Sequence, residues 1–460
     1  MVLRVAVVGA GAAGMSAASR VKRLLGDRAE VVVFDKGRWV SFALCGTPYY
    51  IGFVVKELED LVYYPITEFT EKRKIRIRLG AEVTRIDAGD RRLYYRSKGG
   101  LESYEYDYLV LATGAEPKIP KAWAEYMGYE NMFTLHSLDE ADEIRKYMAS
   151  SSIKRVVIVG AGYIGYEVAD NLRLLGKRVT MVEALDRVLP AMLDKDIAEE
   201  ARRPLENNGV ELRLESPVKS FEAEGNKVRR VILENGEAIE ADAFIVAVGI
   251  KPSVRLAEDI GLRIGETGAI WVNERMQTSK EEIYAVGDAV ETTDLVTGRR
   301  IWLPLAPAAN KMGFVAGTNI AGGYAVFPGV VRTSVTGAFG TIVAATGLRE
   351  EEAAKYGFNP VAAKLEAGTK AHYIRGGRRI VLKVVADKDT GRLLGAQAVG
   401  DETAFWRINV IAALLAKKAT VWDLFNTDIG YMPLVAPAWD PLIIAARLLM
   451  RHVGTMPRKD

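Results

Sequence analysis

The sequence predicts an α/β protein with two nucleotide-binding domains and a C-terminal α+β domain, and three observations predict this fold class. A strand–glycine loop–helix–strand unit opens the chain, and the same unit returns at Lys154. From about Phe327 the sequence changes to β-rich and then helical segments, with no further glycine loop. Both units are typical of Rossmann-like domains, in which a parallel sheet presents a glycine loop to phosphate groups.

The first unit is LRVAVVGAGAAGMSAASRVKRLLGDRAEVVVFD, and its glycines stand where a dinucleotide requires them. Gly9 permits a tight turn out of the strand, Gly11 lets the backbone approach a pyrophosphate, and Gly14 lets the helix pack closely on the strand. The N–H groups at the start of that helix then point at the phosphates. Asp35 ends the next strand, where a carboxylate either accepts hydrogen bonds from ribose hydroxyls or is simply solvated.

The second unit, KRVVIVGAGYIGYEVADNLRLLGKRVTMVE, repeats this pattern. Its three glycines and its strand-end acid are Gly160, Gly162, Gly165 and Glu183. A carboxylate at this position suits the 2′-hydroxyl of NADH and repels the 2′-phosphate of NADPH. Arg178 and Arg187 are close enough in the sequence to weaken that repulsion, so we expect NADH to be favoured and NADPH to remain possible. Two complete units in one chain predict two nucleotides that face one another.

Two further strand–glycine turns divide the chain, because LVLATGAEPKIP precedes the second unit and AFIVAVGIKPS follows it. We therefore expect an interrupted first domain over residues 1–117 and 242–325, with the second nucleotide-binding domain inserted at 118–241. Residues 326–460 are expected to form a domain for packing or assembly.

The composition is that of a soluble globular protein, with 49% hydrophobic residues, 26% charged residues and a formal net charge of +3. This balance does not indicate nucleic-acid binding. The single cysteine excludes a disulfide framework and fits a reducing compartment. No basic-then-apolar leader opens the sequence, and the longest apolar runs, such as LIIAARLLM, are too short to span a bilayer. We expect a cytoplasmic enzyme with no nucleic-acid or membrane partner and no metal site.

Five motifs, GAGAAG, ATGAEP, GAGYIG, AVGIKP and YAVGDA, occur in the order seen in the flavin-dependent pyridine nucleotide–disulfide oxidoreductases, which essentially the whole chain resembles. The resemblance implies FAD in the first domain, NADH or NADPH in the second, and electron flow from hydride through flavin to sulfur. The implied FAD-binding residues are Gly9, Gly11, Ala12, Gly14, Asp35, Lys36, Ser41, Thr113, Gly114, Asp288 and Ala306. The implied NAD(P)-binding residues are Gly160, Gly162, Tyr163, Ile164, Gly165, Glu183 and Gly249.

Cys45, in SFALCGTPYYIG, is the only cysteine of the chain. Glutathione-reductase-like members of the family use a CxxxxC pair, but Tyr50 stands where the second cysteine would be, and the three histidines show no arrangement like those members' catalytic His–Glu couple. A lone cysteine leaves a mixed disulfide with a small thiol, a sulfenic acid or an inert thiol as its resting state. We expect the turn from strand to helix to lower the thiol pKa and make it reactive.

The same stretch resembles SFxNCGLPYxIG of the coenzyme A-disulfide reductases, a single-cysteine branch that includes archaeal NAD(P)H sulfur reductases. The resemblance implies coenzyme A as substrate or bound thiol, with contacts from Ser16, Arg20, Arg23, Ser41, Arg73, Asn310 and Trp439. Arg20 and Arg23 share one helix face, which could also be a solvated basic face beside Lys22. Leu44 replaces the branch's asparagine, so we expect a class of small disulfides and polysulfides as substrates.

Tyr373 in AHYIRGG and Tyr431 in DIGYMPLVAPAWDPL resemble tyrosines that reach the cysteine of the partner subunit in this branch. The resemblance implies a homodimer with shared active sites, in which a tyrosine hydroxyl can hydrogen-bond a thiolate or protonate a leaving one. The predicted activity is reduction of coenzyme A disulfide, coenzyme A persulfide or polysulfide.

Two alternatives stay open. The first is an NADH oxidase that makes hydrogen peroxide, and it is disfavoured because Ala12 stands where such oxidases carry a histidine. The second is a flavin electron carrier that docks a partner protein, although such carriers need no cysteine at position 45.

Overall fold

Three five-stranded sheets organise residues 2–454, the part of the chain that the computed structural model describes. The helices are α1 (Ala12–Leu25), α2 (Thr47–Ile51), α3 (Leu138–Met148), α4 (Tyr163–Leu174), α5 (Lys195–Asn207), α6 (Arg255–Asp259), α7 (Ala306–Ile320), α8 (Glu350–Ala353), α9 (Glu402–Leu415), α10 (Val421–Phe425) and α11 (Pro441–Leu449). Short 3₁₀ turns cover Gly26–Arg28, Leu44–Gly46, Leu58–Leu61, Lys121–Gly128, Gly287–Ala289 and Ala354–Tyr356, and a π turn covers Glu68–Lys72.

The strands follow in chain order. The first twelve are β1 (Leu3–Val8), β2 (Ala29–Asp35), β3 (Arg76–Leu79), β4 (Glu82–Asp87), β5 (Arg92–Ser97), β6 (Gly100–Glu105), β7 (Tyr108–Leu111), β8 (Ala115–Pro117), β9 (Met132–Phe133), β10 (Arg155–Val159), β11 (Arg178–Val182) and β12 (Val210–Arg213). The others are β13 (Val218–Glu224), β14 (Lys227–Leu233), β15 (Ala238–Glu240), β16 (Ala243–Val246), β17 (Ile250–Pro252), β18 (Ile283–Ala285), β19 (Thr292–Thr293), β20 (Arg300–Ile301), β21 (Ser334–Ala338), β22 (Thr341–Gly347), β23 (Pro360–Gly368), β24 (Arg379–Asp387) and β25 (Leu393–Gly400).

The first sheet has the order β18–β7–β1–β2–β3, and its strands are parallel. Its apolar runs are buried on both faces, as parallel strands require. Helix α1 packs along α7, and Gly313 and Gly317 allow this approach because a Cβ on either would overlap a backbone carbonyl of α1. The edge strand β18 comes from the chain beyond the second glycine unit, so the sheet joins two separate stretches of sequence.

The second sheet, β12–β11–β10–β16–β9, is also parallel. The antiparallel sheet β13–β14–β15 covers part of it, with Phe221 packing against Phe244. The chain passes between the two parallel sheets twice, and β8 pairs with β17 at these crossings. The hydroxyl of Thr113 donates to the carbonyl of Ser253 over 2.7 Å, which ties the two crossings together.

The third sheet, β21–β22–β25–β24–β23, is antiparallel, and α9 and α11 pack on it. A buried polar cluster joins it to the second parallel sheet's domain. The ammonium group of Lys383 lies 3.1 Å from the carboxylate of Asp194 and 2.7 Å from that of Glu350, and Gln397 donates to Asp194 over 2.7 Å. Within residues 2–454, no helix is long and apolar enough to cross a membrane.

Candidate active site

The first glycine loop has the shape that a pyrophosphate requires. Gly9 has a left-handed φ of 114°, and a Cβ there would overlap the carbonyl oxygen of Ala112. A Cβ on Gly14 would overlap the carbonyl oxygen of Gly9, so both glycines serve close packing of the chain. Gly11 caps α1, and a Cβ there would meet open space, which leaves room for a ligand at the helix N-terminus.

The second loop repeats these features at the start of α4. Gly160 has a φ of 109°, and a Cβ there would overlap the carbonyl oxygen of Ala247. Gly165 packs against the carbonyl oxygen of Gly160, whereas Gly162 faces open space at the N-cap. The predicted neighbours Tyr163 and Ile164 form the first turn of α4. Gly249 lies on the loop after β16 with a φ of 108°, and its carbonyl accepts from the N–H of Lys118.

Each strand-end acid is fixed by backbone N–H groups of its own loop. Asp35 accepts from Ala10 over 2.6 Å and from Gly37 over 2.7 Å. Glu183 accepts from Ala161 over 2.8 Å and from Leu185 over 3.0 Å. Both carboxylates are therefore held beside a glycine loop with oxygen lone pairs left for ribose hydroxyls.

The two arginines expected to offset Glu183 are placed elsewhere. Arg178 is the first residue of β11, at the opposite end of the strand from Glu183. Arg187 lies 2.8 Å from the carboxylate of Asp186 and 2.8 Å from that of Glu351, a residue of α8. Arg178 therefore does not weaken the repulsion of a 2′-phosphate, whereas the effect of Arg187, which is engaged by two carboxylates, stays a prediction.

The remaining predicted flavin residues surround the first loop. Ala12 begins α1, Lys36 follows Asp35, and the N–H of Ser41 donates to the carbonyl of Ala10. Gly114 has a φ of 71° and open space at its Cβ position, and Ala306 begins α7.

Asp288 supplies the polar group that a flavin side chain needs. Burial raises the pKa of its carboxyl group, and the indole N–H of Trp302 fixes the backbone by donating to the Asp288 carbonyl over 2.7 Å. A half-buried carboxyl group near an open glycine cradle fits a polyol chain joined to a pyrophosphate. The residues present therefore fit FAD.

Cys45 lies in the 3₁₀ turn Leu44–Gly46, just before α2. The hydroxyl of Thr47 donates to the carbonyl of Leu44 over 2.7 Å, and a Cβ on Gly46 would overlap the side chain of Leu61. The thiol is exposed on the surface of the protomer. The surrounding protein nevertheless raises its pKa, first by burial of the sulfur's environment and then through the negative charges of Glu167 and Asp288. The expectation that this turn lowers the thiol pKa is therefore wrong, because the groups of the protein itself raise it.

Tyr50 fills the position of the second cysteine with a packing contact. Its hydroxyl donates to Asp142 over 3.0 Å, and the guanidinium group of Arg145 lies 4.1 Å from its ring centre. Both partners belong to α3. On the other side, Gly52 allows α2 to approach Asn171 of α4, since a Cβ there would overlap the Asn171 side chain. The cysteine loop is thus held between two helices of the second domain.

Glu167, two residues after Gly165 on α4, is a site residue that the sequence analysis missed. Its carboxylate accepts from the hydroxyl of Thr336 over 2.8 Å, and burial raises its pKa to about 7. Asp170 lies one turn further along α4, and burial raises its pKa as well. Burial and these acids raise the pKa of Tyr49 to about 12. The sequence signal that could have identified Glu167 and Asp170 is two acids three residues apart on a helix that otherwise packs in a core.

Five of the predicted coenzyme A residues lie on α1 or in contact with it, and we name their surface the basic groove: Ser16, Arg20, Arg23, Arg73 and Asn310. The guanidinium group of Arg20 lies 4.1 Å from the ring centre of Phe314 and donates to Thr318 over 2.9 Å. Arg73 donates to the hydroxyl of Ser19 over 2.8 Å and stacks near Tyr64. The hydroxyl of Ser16 donates to the carbonyl of Asn310 over 2.8 Å, and Arg23 is exposed on the same helix.

Lys22 is not part of that groove. Its ammonium group donates to the carbonyls of Gly26 over 2.9 Å and Ala29 over 3.1 Å, so it stabilises the C-terminal end of α1. Lys22 therefore does not extend a solvated basic face, but Arg23 is exposed, so a solvated face remains the alternative for Arg20 and Arg23.

Tyr373 and Tyr431 meet although they are far apart in the sequence. Their hydroxyl oxygens lie 3.3 Å apart, and the Tyr373 hydroxyl raises the pKa of Tyr431. The side chains are 62% and 51% exposed. Trp439 is exposed too and stacks with Arg447 at 4.6 Å, and it lines a cavity of about 220 Å³ together with Tyr431.

The C-terminal domain also exposes large apolar side chains, some of them next to Tyr431 in the sequence. They are Phe405, Trp406, Met432, Leu434 and Val435, which we name the C-terminal apolar patch. A concentration of large apolar groups on one surface is typical of a protein–protein interface.

Comparison with known families identifies this architecture. A family model for pyridine nucleotide-disulphide oxidoreductases matches residues 3–313, and a model for the dimerisation domain of the same family matches residues 337–442. The chain belongs to the pyridine nucleotide-disulphide oxidoreductase family. This membership confirms the predicted fold class, the dimerisation domain, and the predicted FAD and NAD(P)H cofactors, which the family uses.

Three similar proteins narrow the comparison within this family. An NAD(P)H coenzyme A polysulfide/persulfide reductase of Pyrococcus horikoshii is 46% identical over 97% of this chain and 98% of that protein. An NADH oxidase of Methanocaldococcus jannaschii is 35% identical over 98% of this chain and 100% of that protein. The solved structure of an NAD-dependent persulfide reductase from A. fulgidus matches with a TM-score of 0.94 and 40% identity, covering 98% of this chain and 83% of the other.

Proposed function

We propose that this protein uses NAD(P)H, FAD and Cys45 to reduce coenzyme A disulfide, coenzyme A persulfide or polysulfide. The observation that carries the proposal is the cysteine loop itself. Its lone thiol is exposed, and Tyr50, packed between Asp142 and Arg145, occupies the place of a resolving cysteine. The second sulfur must therefore come from the substrate.

The reaction balances with one protein thiol. The Cys45 thiolate attacks one sulfur of R–S–S–R, the S–S bond breaks, and R–S⁻ leaves and takes a proton from solvent. Cys45 is then held as Cys45–S–S–R. Two electrons and one proton, both derived from the hydride of NAD(P)H, release the second RSH and restore the thiolate. FAD bound at the first loop supplies the two-electron link between the nicotinamide and the disulfide.

The protein's own residues bind and orient these groups. We assign the first glycine loop, Asp35, Lys36, Ser41, Thr113, Gly114, Asp288 and the start of α7 at Ala306 to FAD. We assign to the nicotinamide dinucleotide the second glycine loop together with Tyr163, Ile164, Glu183 and Gly249. The predicted domain boundaries are 1–117 with 242–325, 118–241, and 326–460, but the boundary at residue 242 is too early. Strand β16 (Ala243–Val246) pairs with β10, so it belongs to the second nucleotide-binding domain.

We assign the basic groove to coenzyme A. Arg20, Arg23 and Arg73 supply positive charge for its phosphates, since guanidinium groups are suited to phosphate recognition. Ser16, Ser41 and Asn310 add polar contacts. The P. horikoshii relative is named for coenzyme A polysulfide and persulfide, which fits a groove of this kind. Leu44 offers no polar group beside the thiol. The substrate is therefore bound chiefly through the group that its sulfur carries, such as the coenzyme A moiety.

We also propose a homodimer in which each active site uses both subunits. The partner's Tyr373 and the partner's Tyr431 would approach Cys45, with Trp439 beside the coenzyme A channel. The exposed tyrosine pair and the C-terminal apolar patch support this arrangement, because a dimer would bury both. The unpaired cysteine favours a reducing, cytoplasmic setting.

The test is Cys45→Ser under anaerobic conditions. We expect this variant to keep its FAD and to be bleached by NADH, and to reduce coenzyme A disulfide at least about 100-fold more slowly than the parent. Reduction of the disulfide at the parental rate would contradict the proposal.

The M. jannaschii relative, named NADH oxidase, makes hydrogen peroxide production the alternative. If Cys45→Ser consumes NADH and oxygen at the parental rate, and coenzyme A disulfide does not stimulate the parent without oxygen, the oxidase is the correct function.

A further inference from the structure

Helix α4 connects the cysteine loop to the C-terminal domain. The hydroxyl of Tyr163 donates to Ser334 over 2.8 Å, and one turn later Glu167 accepts from Thr336 over 2.8 Å. Both partners lie on β21. On another side, α4 packs against α2, which follows the Cys45 turn directly. Glu167 lies one turn before Asn171, against which Gly52 at the end of α2 packs, so both residues share the side of α4 that meets the cysteine loop. Since its carboxylate also contacts Thr336, Glu167 lies where all three domains meet.

The groups that face Cys45 and Glu167 are acids or weak acids. Glu167 acts on the thiol more strongly than Asp288 does, and both disfavour the thiolate. Tyr49 of α2 and Asp170 of α4 are the other titratable neighbours, and the backbone N–H of Phe339 bonds to Asp170. A negative charge on the Cys45 sulfur and one on the half-buried Glu167 carboxylate repel each other.

We propose that the charge of Glu167 controls ionisation of Cys45. Cys45 forms its reactive thiolate when the Glu167 carboxyl group is neutral. Thr336 regulates this state from the C-terminal domain, because its hydroxyl stabilises the ionised carboxylate. Cys45 and Glu167 together thus carry one negative charge, and this charge is on the sulfur when Cys45 is reactive. The inference rests on Cys45 as the reactive thiol of the proposed function.

The direction of each substitution follows from this coupling. Glu167→Gln removes the opposing charge, so the thiolate forms at lower pH. Thr336→Val removes the hydrogen bond that favours ionised Glu167, so it shifts the thiol in the same direction by less. The double variant behaves as Glu167→Gln alone. Thr336→Ser keeps the hydroxyl and restores the parental behaviour.

The experiment is the rate of Cys45 alkylation by iodoacetamide as a function of pH, on FAD-loaded enzyme reduced with dithiothreitol and desalted without oxygen. We expect Glu167→Gln to react about threefold faster than the parent at pH 7, the equivalent of half a pKa unit. The control is Glu143→Gln, an exposed glutamate of α3, which should keep the parental profile.

An unchanged pH profile in Glu167→Gln, or a shift to higher pH, would overturn the inference. So would a Thr336→Val shift that persists in full when added to Glu167→Gln. The alkylation readout needs no turnover, so failure of this coupling is distinguishable from failure of the disulfide-reductase activity, which Cys45→Ser tests separately.

Discussion

The two glycine-loop units share one backbone and differ in the helices that follow. The first glycine is left-handed in both, with φ of 114° at Gly9 and 109° at Gly160. In both, the strand-end acid accepts from a loop N–H, over 2.6 Å at Asp35 and 2.8 Å at Glu183. The glycine spacing and the strand-end acid therefore give both units the same loop shape, with a helix N-terminus suited to phosphate.

The helix side chains differ at matching positions, since each pair has one charged and one neutral polar residue. Two residues after the third glycine, α1 has Ser16 and α4 has Glu167. Six residues after it, α1 has Arg20, which borders the basic groove, and α4 has Asn171, which packs beneath the cysteine loop. The two loops share one geometry, whereas the helix faces differ. We propose that the first face binds coenzyme A and that the second, with Glu167, lies beside Cys45.

The largest expected effect comes from substituting the third glycine of each glycine-loop unit. Gly14→Ala and Gly165→Ala each place a methyl group on a backbone carbonyl oxygen, so we expect each to lower the free energy of unfolding by about 2 kcal/mol. Gly14→Ala should also purify with less FAD, whereas Gly165→Ala should keep FAD and lose its bleaching by NADH. Thermal unfolding and the flavin absorbance measure both effects.

The matched controls are Gly11→Ala and Gly162→Ala, whose methyl groups meet open space in the protein. They should unfold at the parental temperature and weaken only binding of FAD and NADH, respectively. Equal loss of FAD from variants of both units would contradict the assignment of one nucleotide to each.

The second prediction concerns the strand-end acid of the second unit. Glu183→Ala should raise the ratio of kcat/KM for NADPH over NADH about tenfold, because it removes a repulsion worth about 1.4 kcal/mol. Steady-state kinetics with both nucleotides measures this ratio. Asp35→Ala, the matching change in the first unit, should lower FAD content and leave the ratio unchanged. A constant ratio in Glu183→Ala would mean that the acid does not select the nucleotide.

The smallest expected effect tests the basic groove of α1. Arg20→Ala should raise the KM for coenzyme A disulfide about fivefold, or roughly 1 kcal/mol, and leave the KM for polysulfide unchanged, since polysulfide has no phosphates. Arg28→Ala, at an exposed arginine just beyond α1, is the control. If both substrates weaken equally in Arg20→Ala, the groove does not act through coenzyme A.

The nucleotide cradles were predictable from the sequence because the spacing of their glycines is a local pattern. Gly9 and Gly160 have φ values of 114° and 109°, which glycine adopts readily, although the carbonyls they pack against, at Ala112 and Ala247, follow neighbouring strands that are distant in the sequence. The start of α7 at Ala306 followed from resemblance and agrees with the helix in the structure.

The electrostatics of the site were not predictable in this way. The pKa of Cys45 depends on Glu167 and Asp288, which are distant in the sequence. Arg187 is engaged by Glu351, which is 164 residues away, so its sequence proximity to Glu183 was misleading. Such pairings arise from how the domains pack against one another, and no local sequence pattern predicts them.

The central claim is that the second sulfur arrives with the substrate, and the mass of the intact protein tests it most directly. After anaerobic incubation with coenzyme A disulfide, the protein should gain the mass of one coenzyme A on Cys45 and lose it on addition of NADH. Cys45→Ser should gain nothing. An unmodified Cys45 in a protein that still turns over coenzyme A disulfide would contradict the account.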